Sequence, residues 1–236
     1  MDHCRVNIAV QHGLPDYNVY HANGFEPPWL YRYFQEESHA KALLQGDVWI
    51  STLERCRGYE TVGQGDDMEG QSSWNVRKAD SPAGLAAQHM MNRNGGPILQ
   101  DCEFGPNCAA AIAIESRLPD AYVVCTTQSP AQSTEEVFGQ YCVEISNPLR
   151  FFWLVTNRLV TQKPIFEAVF GPIKYAPLER WDEEPPRGPL GMVKRPDAYA
   201  NQREVRLLWT TRENPIGSFS LTVQGVPRLC RLVNQG

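Results

Sequence analysis

A chain of 236 residues with 42% hydrophobic and 21% charged side chains can bury one large core, which excludes a disordered or fibrous protein. Its formal charge of −5 excludes a broad basic field, so a nucleic-acid partner needs a local cluster such as Arg187, Lys194, Arg195, Arg203 and Arg206. The 18 glycines and 18 prolines favour many loops over long helices.

The first predicted element is a short strand over residues 4–10, followed by a surface loop through Pro28. Trp29 to Phe34 reads as an aromatic strand with Arg32 in its middle. Residues 35–46 begin with acids, carry Ala40, Leu43 and Leu44 on one stripe and stop at Gly46, which predicts a brief helix. Val48 to Leu53 is the next strand, so Arg32 and Ser51 are expected on neighbouring strands joined by that helix.

From Glu54 to Gly70 glycines and acids surround Tyr59, which predicts a mobile flap. Residues 71–107, with a predicted helix near Leu85 to Met91 and the breaker Asn94-Gly95-Gly96-Pro97, read as an insertion in a single domain spanning 1–236. Strands follow at Ala109 to Glu115, Ala121 to Thr127 and Gln140 to Ser146, the last with strict alternation. Leu149 to Leu159 is apolar enough for the core as a helix or a strand. Phe166 to Tyr175 is another strand, Trp181 to Pro189 a turn-rich excursion, and Phe219 to Val223 and Leu229 to Val233 close the chain. Many short strands with few helices predict an α+β fold of two packed, mainly antiparallel sheets.

The stretch from Ala198 to Trp209 passes from a polar loop into an alternating strand, with Val205, Leu207 and Trp209 on one side and Glu204, Arg206 and Leu208 on the other. If Gln202 and Glu204 lie on extended chain they share a face about 6.6 Å apart. An amide and a carboxylate so placed grip one small ligand, or else form the wet face of a strand. Arg32 offers a planar fork of donors for a diphosphate. Ser51 is expected to hydrogen-bond both ligand and carboxylate. Glu204 suits stabilisation of positive charge at a sugar carbon as a glycosidic bond breaks.

Seven cysteines, an odd number without a Cys-x-x-Cys, predict reduced thiols in a cytoplasmic protein. Cys102 and Cys108 bracket a loop that could carry a bridge. No metal site is expected, since Asp66, Asp67 and Glu69 lack the ligand rhythm of a calcium loop. His39 lies on the polar side of its helix without a nucleophile at workable spacing. Neither a signal peptide nor a membrane-spanning segment is expected.

The order of Leu30-Tyr31-Arg32-Tyr33, Ile50-Ser51-Thr52 and Gln202-Arg203-Glu204 resembles the arginine-serine-glutamate branch of the ADP-ribosyltransferase superfamily. The resemblance implies NAD as co-substrate, bound by Arg32 with Tyr31, Thr52 and Tyr59 around it. It also implies that Ser51 orders the site, that Glu204 is catalytic and that Gln202 faces the acceptor. Leu53 stands where a third hydroxyl would complete the motif, and Cys125-Thr126-Thr127 offers a rival hydroxyl strand. In that family a Gln-x-Glu goes with amide or guanine-type acceptors, which puts nucleic acid slightly ahead of protein. Arg203, Arg206, Lys194 and Arg195 are then expected on phosphates. Tyr59 and Trp49 are candidates to stack on a base or on nicotinamide.

The chain is also similar to a poorly characterised bacterial family found near defence genes, through Tyr31-Arg32-Tyr33, Arg57-Gly58-Tyr59-Glu60, Val124-Cys125-Thr126-Thr127 and Glu204-Val205-Arg206. Together the two likenesses imply an intracellular toxin or phage-defence effector, with an antitoxin or immunity protein as a further partner. Rival expectations are an NAD glycohydrolase and a non-catalytic recognition domain whose Arg–Glu pair is a structural salt bridge. Arg32→Ala and Glu204→Ala are each expected to abolish activity without unfolding the protein.

Overall fold

A computed structural model describes residues 3–6, 17–22, 24–58, 68, 70–76, 82, 85, 112–128, 130, 138–181, 190–211 and 217–233. Tyr59, Cys102, Cys108, Arg187, the acids at 66, 67 and 69, the glycine breaker and most of the helix expected near Leu85 lie outside these residues.

The protein is a mixed α/β structure built on one large sheet with a few short helices. In chain order its strands are β1 (His3–Val6), β2 (Asn18–Ala22), β3 (Trp29–Phe34), β4 (Asp47–Thr52), β5 (Gln71–Val76), β6 (Ile112–Arg117), β7 (Tyr122–Thr127) and β8 (Tyr141–Ser146). They continue with β9 (Ile165–Pro172), β10 (Lys174–Tyr175), β11 (Glu179–Trp181), β12 (Val193–Lys194), β13 (Glu204–Thr211), β14 (Phe219–Thr222) and β15 (Cys230–Val233). The helices are α1 (Glu37–Leu44), α2 (Leu53–Arg57), α3 (Pro148–Leu159) and α4 (Pro196–Tyr199).

Among the described residues, ten strands join in one sheet in the order β1-β2-β9-β13-β7-β3-β8-β15, with β4 and β14 branching from β7. Pairing in it is antiparallel except between β2 and β9. The two packed sheets expected from the strand pattern are thus one forked sheet, with a two-stranded (β10-β12) and a three-stranded (β11-β5-β6) sheet beside it.

The fork is made by β7. Its first residues pair with β4, through Ser51 opposite Val123 and Thr52 opposite Tyr122, while its last residue, Thr127, pairs with Tyr31 of β3. Arg32 and Ser51 were expected on adjacent strands, but β3 and β4 instead take opposite ends of one edge. The middle of that edge, Val124 to Thr126, is left between them.

Alternation along β13 puts Val205, Leu207 and Trp209 into the main core with Phe152, Phe170 and Leu30, and Leu208 into a smaller cluster with Leu53, Val123 and Met192 on the other face. The run Leu149 to Leu159 resolves as helix α3. Asn147, at φ +49, caps its first turn by accepting the Arg150 N–H at 3.2 Å, Pro148 begins it, and Phe151, Phe152, Val155 and Leu159 form its buried stripe. Buried Trp209 donates from Nε1 to Thr156 Oγ1 at 2.9 Å, which satisfies the one polar atom of that indole.

Three segments to which no element was assigned in full carry structure. Asn18–Ala22 is a strand between β1 and β9. Leu53–Arg57 is a helical turn, because Thr52 accepts the Arg55 N–H at 3.2 Å and so supplies a cap. Gln71–Val76, inside the expected insertion, pairs with β6 and β11. No helix among the described residues is long and apolar enough to cross a membrane.

Candidate functional site

The fork opens into a cavity of about 680 Å³. β3, β4, β7 and β13 wall it, together with α1 and α2 and the turn before β13. In register, Thr127 faces Tyr31 on one side and Glu204 on the other. The backbones of Tyr31, next to Arg32 in sequence, and Glu204 therefore stand two strand spacings apart, roughly 10 Å.

Arg32, Ser51, Gln202 and Glu204 all line this cavity. Arg32 lies on the face of β3 opposite Tyr31, in register with buried Val143 of β8. Its guanidinium crosses the fork to β4, donating from Nη2 to the Trp49 carbonyl at 2.9 Å and resting 5.3 Å from the centre of the Phe34 ring. Ser51 shares its face of β4 with Asp47 and Trp49, all three of them on the cavity wall. Its Oγ is buried and makes no hydrogen bond, so the expected contact with the Glu204 carboxylate is not formed.

Glu204 is 5% exposed and already bonded on both oxygens. Oε1 accepts from Arg206 Nε at 2.8 Å and lies 2.6 Å from Arg206 Nη2; Oε2 lies 2.7 Å from Lys194 Nζ. Burial pushes the carboxyl up, but the charges of Arg206 and Lys194 outweigh it and hold Glu204 at about 2, ionised at any working pH. A thiol hydrogen bond from Cys125 adds to this. Arg206 is fully buried and also donates to the Gly191 carbonyl at 2.7 Å, while Lys194 sits 5.1 Å from the centre of the Tyr199 ring. These two cations were expected on nucleic-acid phosphates. They are instead spent on Glu204, which leaves Arg203 as an exposed cation of that group.

Gln202 reaches the cavity by a different route from the one alternation suggested. It ends a 3-10 turn over Ala200–Gln202, and Arg203 adopts φ +45 before β13 begins. The Gln202 carbonyl accepts Thr127 Oγ1 at 2.7 Å and the Arg203 carbonyl accepts the Gln128 N–H at 3.2 Å, which ties this turn to the end of β7.

Tyr31 is buried at the cavity wall and its hydroxyl bonds Glu144, which Arg231 grips from Nε at 2.8 Å and Nη2 at 3.1 Å. Burial, then the Glu144 charge, raises the Tyr31 hydroxyl. Thr52 is not on the cavity wall: its hydroxyl caps α2, and the alternation that aims Ser51 inward turns Thr52 away. The rival hydroxyls of Thr126 and Thr127 do line the cavity, yet each donates to a β13-side carbonyl, Thr126 to Val205 at 2.8 Å and Thr127 to Gln202 at 2.7 Å. Of the three candidate hydroxyls on the cavity wall, Ser51, Thr126 and Thr127, that of Ser51 is the one without a hydrogen bond.

Sequence reasoning passed over Arg55, Cys56 and Cys125. Arg55 lines the cavity and stacks 5.5 Å from the ring centre of Trp49, which is 40% exposed at its mouth. The signal for Cys125 was present in its alternation with buried Val124, but pairing with β13 was needed to set it beside Glu204. His39, exposed on α1, reaches the rim. Among the described lining residues there are four cations (Arg32, Arg55, Lys194, Arg206) and two carboxylates (Asp47, Glu204), an excess of positive charge that suits an anion. No group of histidine, cysteine or acidic side chains among the described residues is arranged to hold a metal ion.

No family model matches the chain, and no curated protein or solved structure matches it either.

Proposed function

We propose that this cavity takes NAD and that the protein transfers ADP-ribose to a macromolecule, with nucleic acid ahead of protein as acceptor. The observation that carries the reading is that Arg32, Ser51 and Glu204, far apart in sequence, line one cavity of about 680 Å³. That volume falls in the ordinary range for ligand clefts, roughly 300–1,000 Å³. The excess of cations suits a diphosphate, with Arg32 as its fork of donors. An ionised Glu204 cannot act as an acid. Its part is electrostatic, opposing the positive charge that builds on the ribose as nicotinamide leaves. Ser51 Oγ supplies a hydroxyl with both donor and acceptor capacity unspent. For the acceptor, Trp49 backed by Arg55 offers a stacking surface and Gln202 an amide that can pair with a base edge.

A second reading is favoured by the occupation of both Glu204 oxygens. A carboxylate shared between Lys194 and Arg206 is also what a structural ion triad looks like, and it suits a recognition domain that binds an anion without turnover.

Labelled NAD incubated with the purified protein and separate DNA, RNA and protein pools distinguishes these readings. Label on a pool with release of nicotinamide supports transfer. Release without label makes water the acceptor, binding without release leaves the recognition domain, and neither binding nor release rules out the NAD reading.

A further inference from the structure

The Cys56 and Cys125 thiols meet in the wall of the cavity. β4 pairs with the start of β7, and the Leu53 N–H donates to the Ala121 carbonyl at 2.9 Å. This anchors the first turn of α2 against β7, and the turn then carries Cys56 over Cys125. Cys56 and Cys125 pack in the same small cluster with Leu53 and Val123 and both line the cavity, and their thiols are hydrogen-bonded to one another. Cys125 also donates to Glu204, so the thiol pair is continuous with the ion triad. Cys142 on β8 and Cys230 on β15 sit on strands remote in register from this pair.

We propose that Cys56 and Cys125 are an oxidisable dithiol which closes to an intramolecular disulfide and thereby remodels the cavity beside Glu204. The oxidant class is a peroxide that enters through the cavity. The Cys56 sulfur takes one peroxide oxygen, becoming a sulfenic acid as water leaves. The Cys125 sulfur then attacks the Cys56 sulfur and displaces the hydroxyl, which departs with the Cys125 proton as a second water. Two thiols and one peroxide thus give one disulfide and two waters. The Cys56 contact and burial hold the Cys125 proton on well above the ordinary thiol range, so the first attack on peroxide is assigned to Cys56, and Cys125 gives up its proton only as it attacks the sulfenic sulfur.

The new bond is about 2.05 Å long, shorter than any contact between thiols. It draws α2 onto β7 and takes away the S–H that Cys125 gives Glu204. The wall between Ser51 and Glu204 shifts as a result. The dithiol stands apart from what the cavity binds, and only the activity readout below rests on the NAD reading.

The test treats folded protein with hydrogen peroxide, blocks remaining thiols by alkylation and maps the peptides without reduction. The expected result is a Cys56–Cys125 linked peptide, lighter by about 2 Da than its two halves, reversed by dithiothreitol and absent from Cys56→Ser and from Cys125→Ser. Oxidation of both residues only to separate sulfinic or sulfonic acids, or no modification of either while the protein remains folded, overturns the proposal. Nicotinamide release from NAD is then compared before and after oxidation. A drop of about tenfold that dithiothreitol restores is expected, and an unchanged rate shows that the disulfide does not reach the site. If reduced protein releases no nicotinamide, the NAD reading fails and the linked peptide alone decides the dithiol.

Discussion

Lys194 Nζ stands 2.7 Å from Glu204 with both side chains almost closed to solvent. Arg206 takes the other carboxylate oxygen from below, so one buried negative charge is shared by two buried positive ones. A triad of this kind is held together mainly because removing any member strands the others in a medium that solvates ions poorly.

Glu204→Ala is therefore expected to lower stability by about 3–5 kcal/mol, because it leaves Lys194 and Arg206 buried and uncompensated. This revises the expectation that the substitution abolishes activity and leaves the fold intact. Urea unfolding checks it, and Lys194→Met added to Glu204→Ala is expected to recover part of the loss. A cost below about 1 kcal/mol for Glu204→Ala would mean that the triad is open to water.

The same triad sets an acid limit. The Glu204 carboxyl is held at about 2 against an ordinary value of 4.5, so its folded value is the depressed one. Its contribution is complete above the unfolded value and is lost as pH falls from about 4.5 towards 2. That amounts to a loss on the order of 3 kcal/mol. Thermal unfolding across this range is expected to show a steeper fall in the wild type than in Glu204→Gln.

Ser51→Ala separates function from fold. A buried hydroxyl without a partner destabilises the folded state, so its removal is expected to leave stability unchanged or raise it by about 1 kcal/mol. If the hydroxyl is reserved for a ligand, NAD affinity or turnover drops about tenfold, the equivalent of one hydrogen bond. Chemical denaturation alongside an activity assay reads both.

Gly139→Ala tests the far wall. Gly139 has φ +116, and a Cβ there would fall 2.3 Å from the Phe34 carbonyl carbon and oxygen, where backbone cannot give way as a side chain could. A loss of at least about 2 kcal/mol is expected, with weaker ligand binding because Phe34 lines the cavity. Calorimetry and ligand titration check the pair of effects.

Strong periodicity made much of this molecule legible. The alternation Val205-Leu207-Trp209 against Glu204-Arg206-Leu208, the stripe of α1 and the aromatic strand with Arg32 all follow from local spacing. That Arg32, Ser51, Gln202 and Glu204 share a cavity was legible only as a pattern of residue types. What spacing could not carry was pairing. Whether Ser51 lies beside Arg32 or across a fork depends on which end of β7 each strand takes, and that is set by contacts with residues far along the chain. The burial of Lys194 and Arg206 was hidden for the same reason, since a cation in a polar-looking stretch reads as solvated until its carboxylate partner is placed. Asn18–Ala22 was missed because its surroundings of glycine, proline and asparagine outweigh five residues of strand whose partners are non-local.

The central claim is that Arg32 and Glu204 act on one dinucleotide in the forked sheet. Single-turnover release of nicotinamide from NAD at neutral pH, by the wild type and by Arg32→Ala, tests it most directly. Arg32 is partly exposed at the fork and outside the ion triad, so its loss is expected to cost little stability, about 1 kcal/mol. The account predicts release by the wild type and a fall of at least a hundredfold in the folded variant. Equal rates in the two proteins, or no release by either, would contradict it.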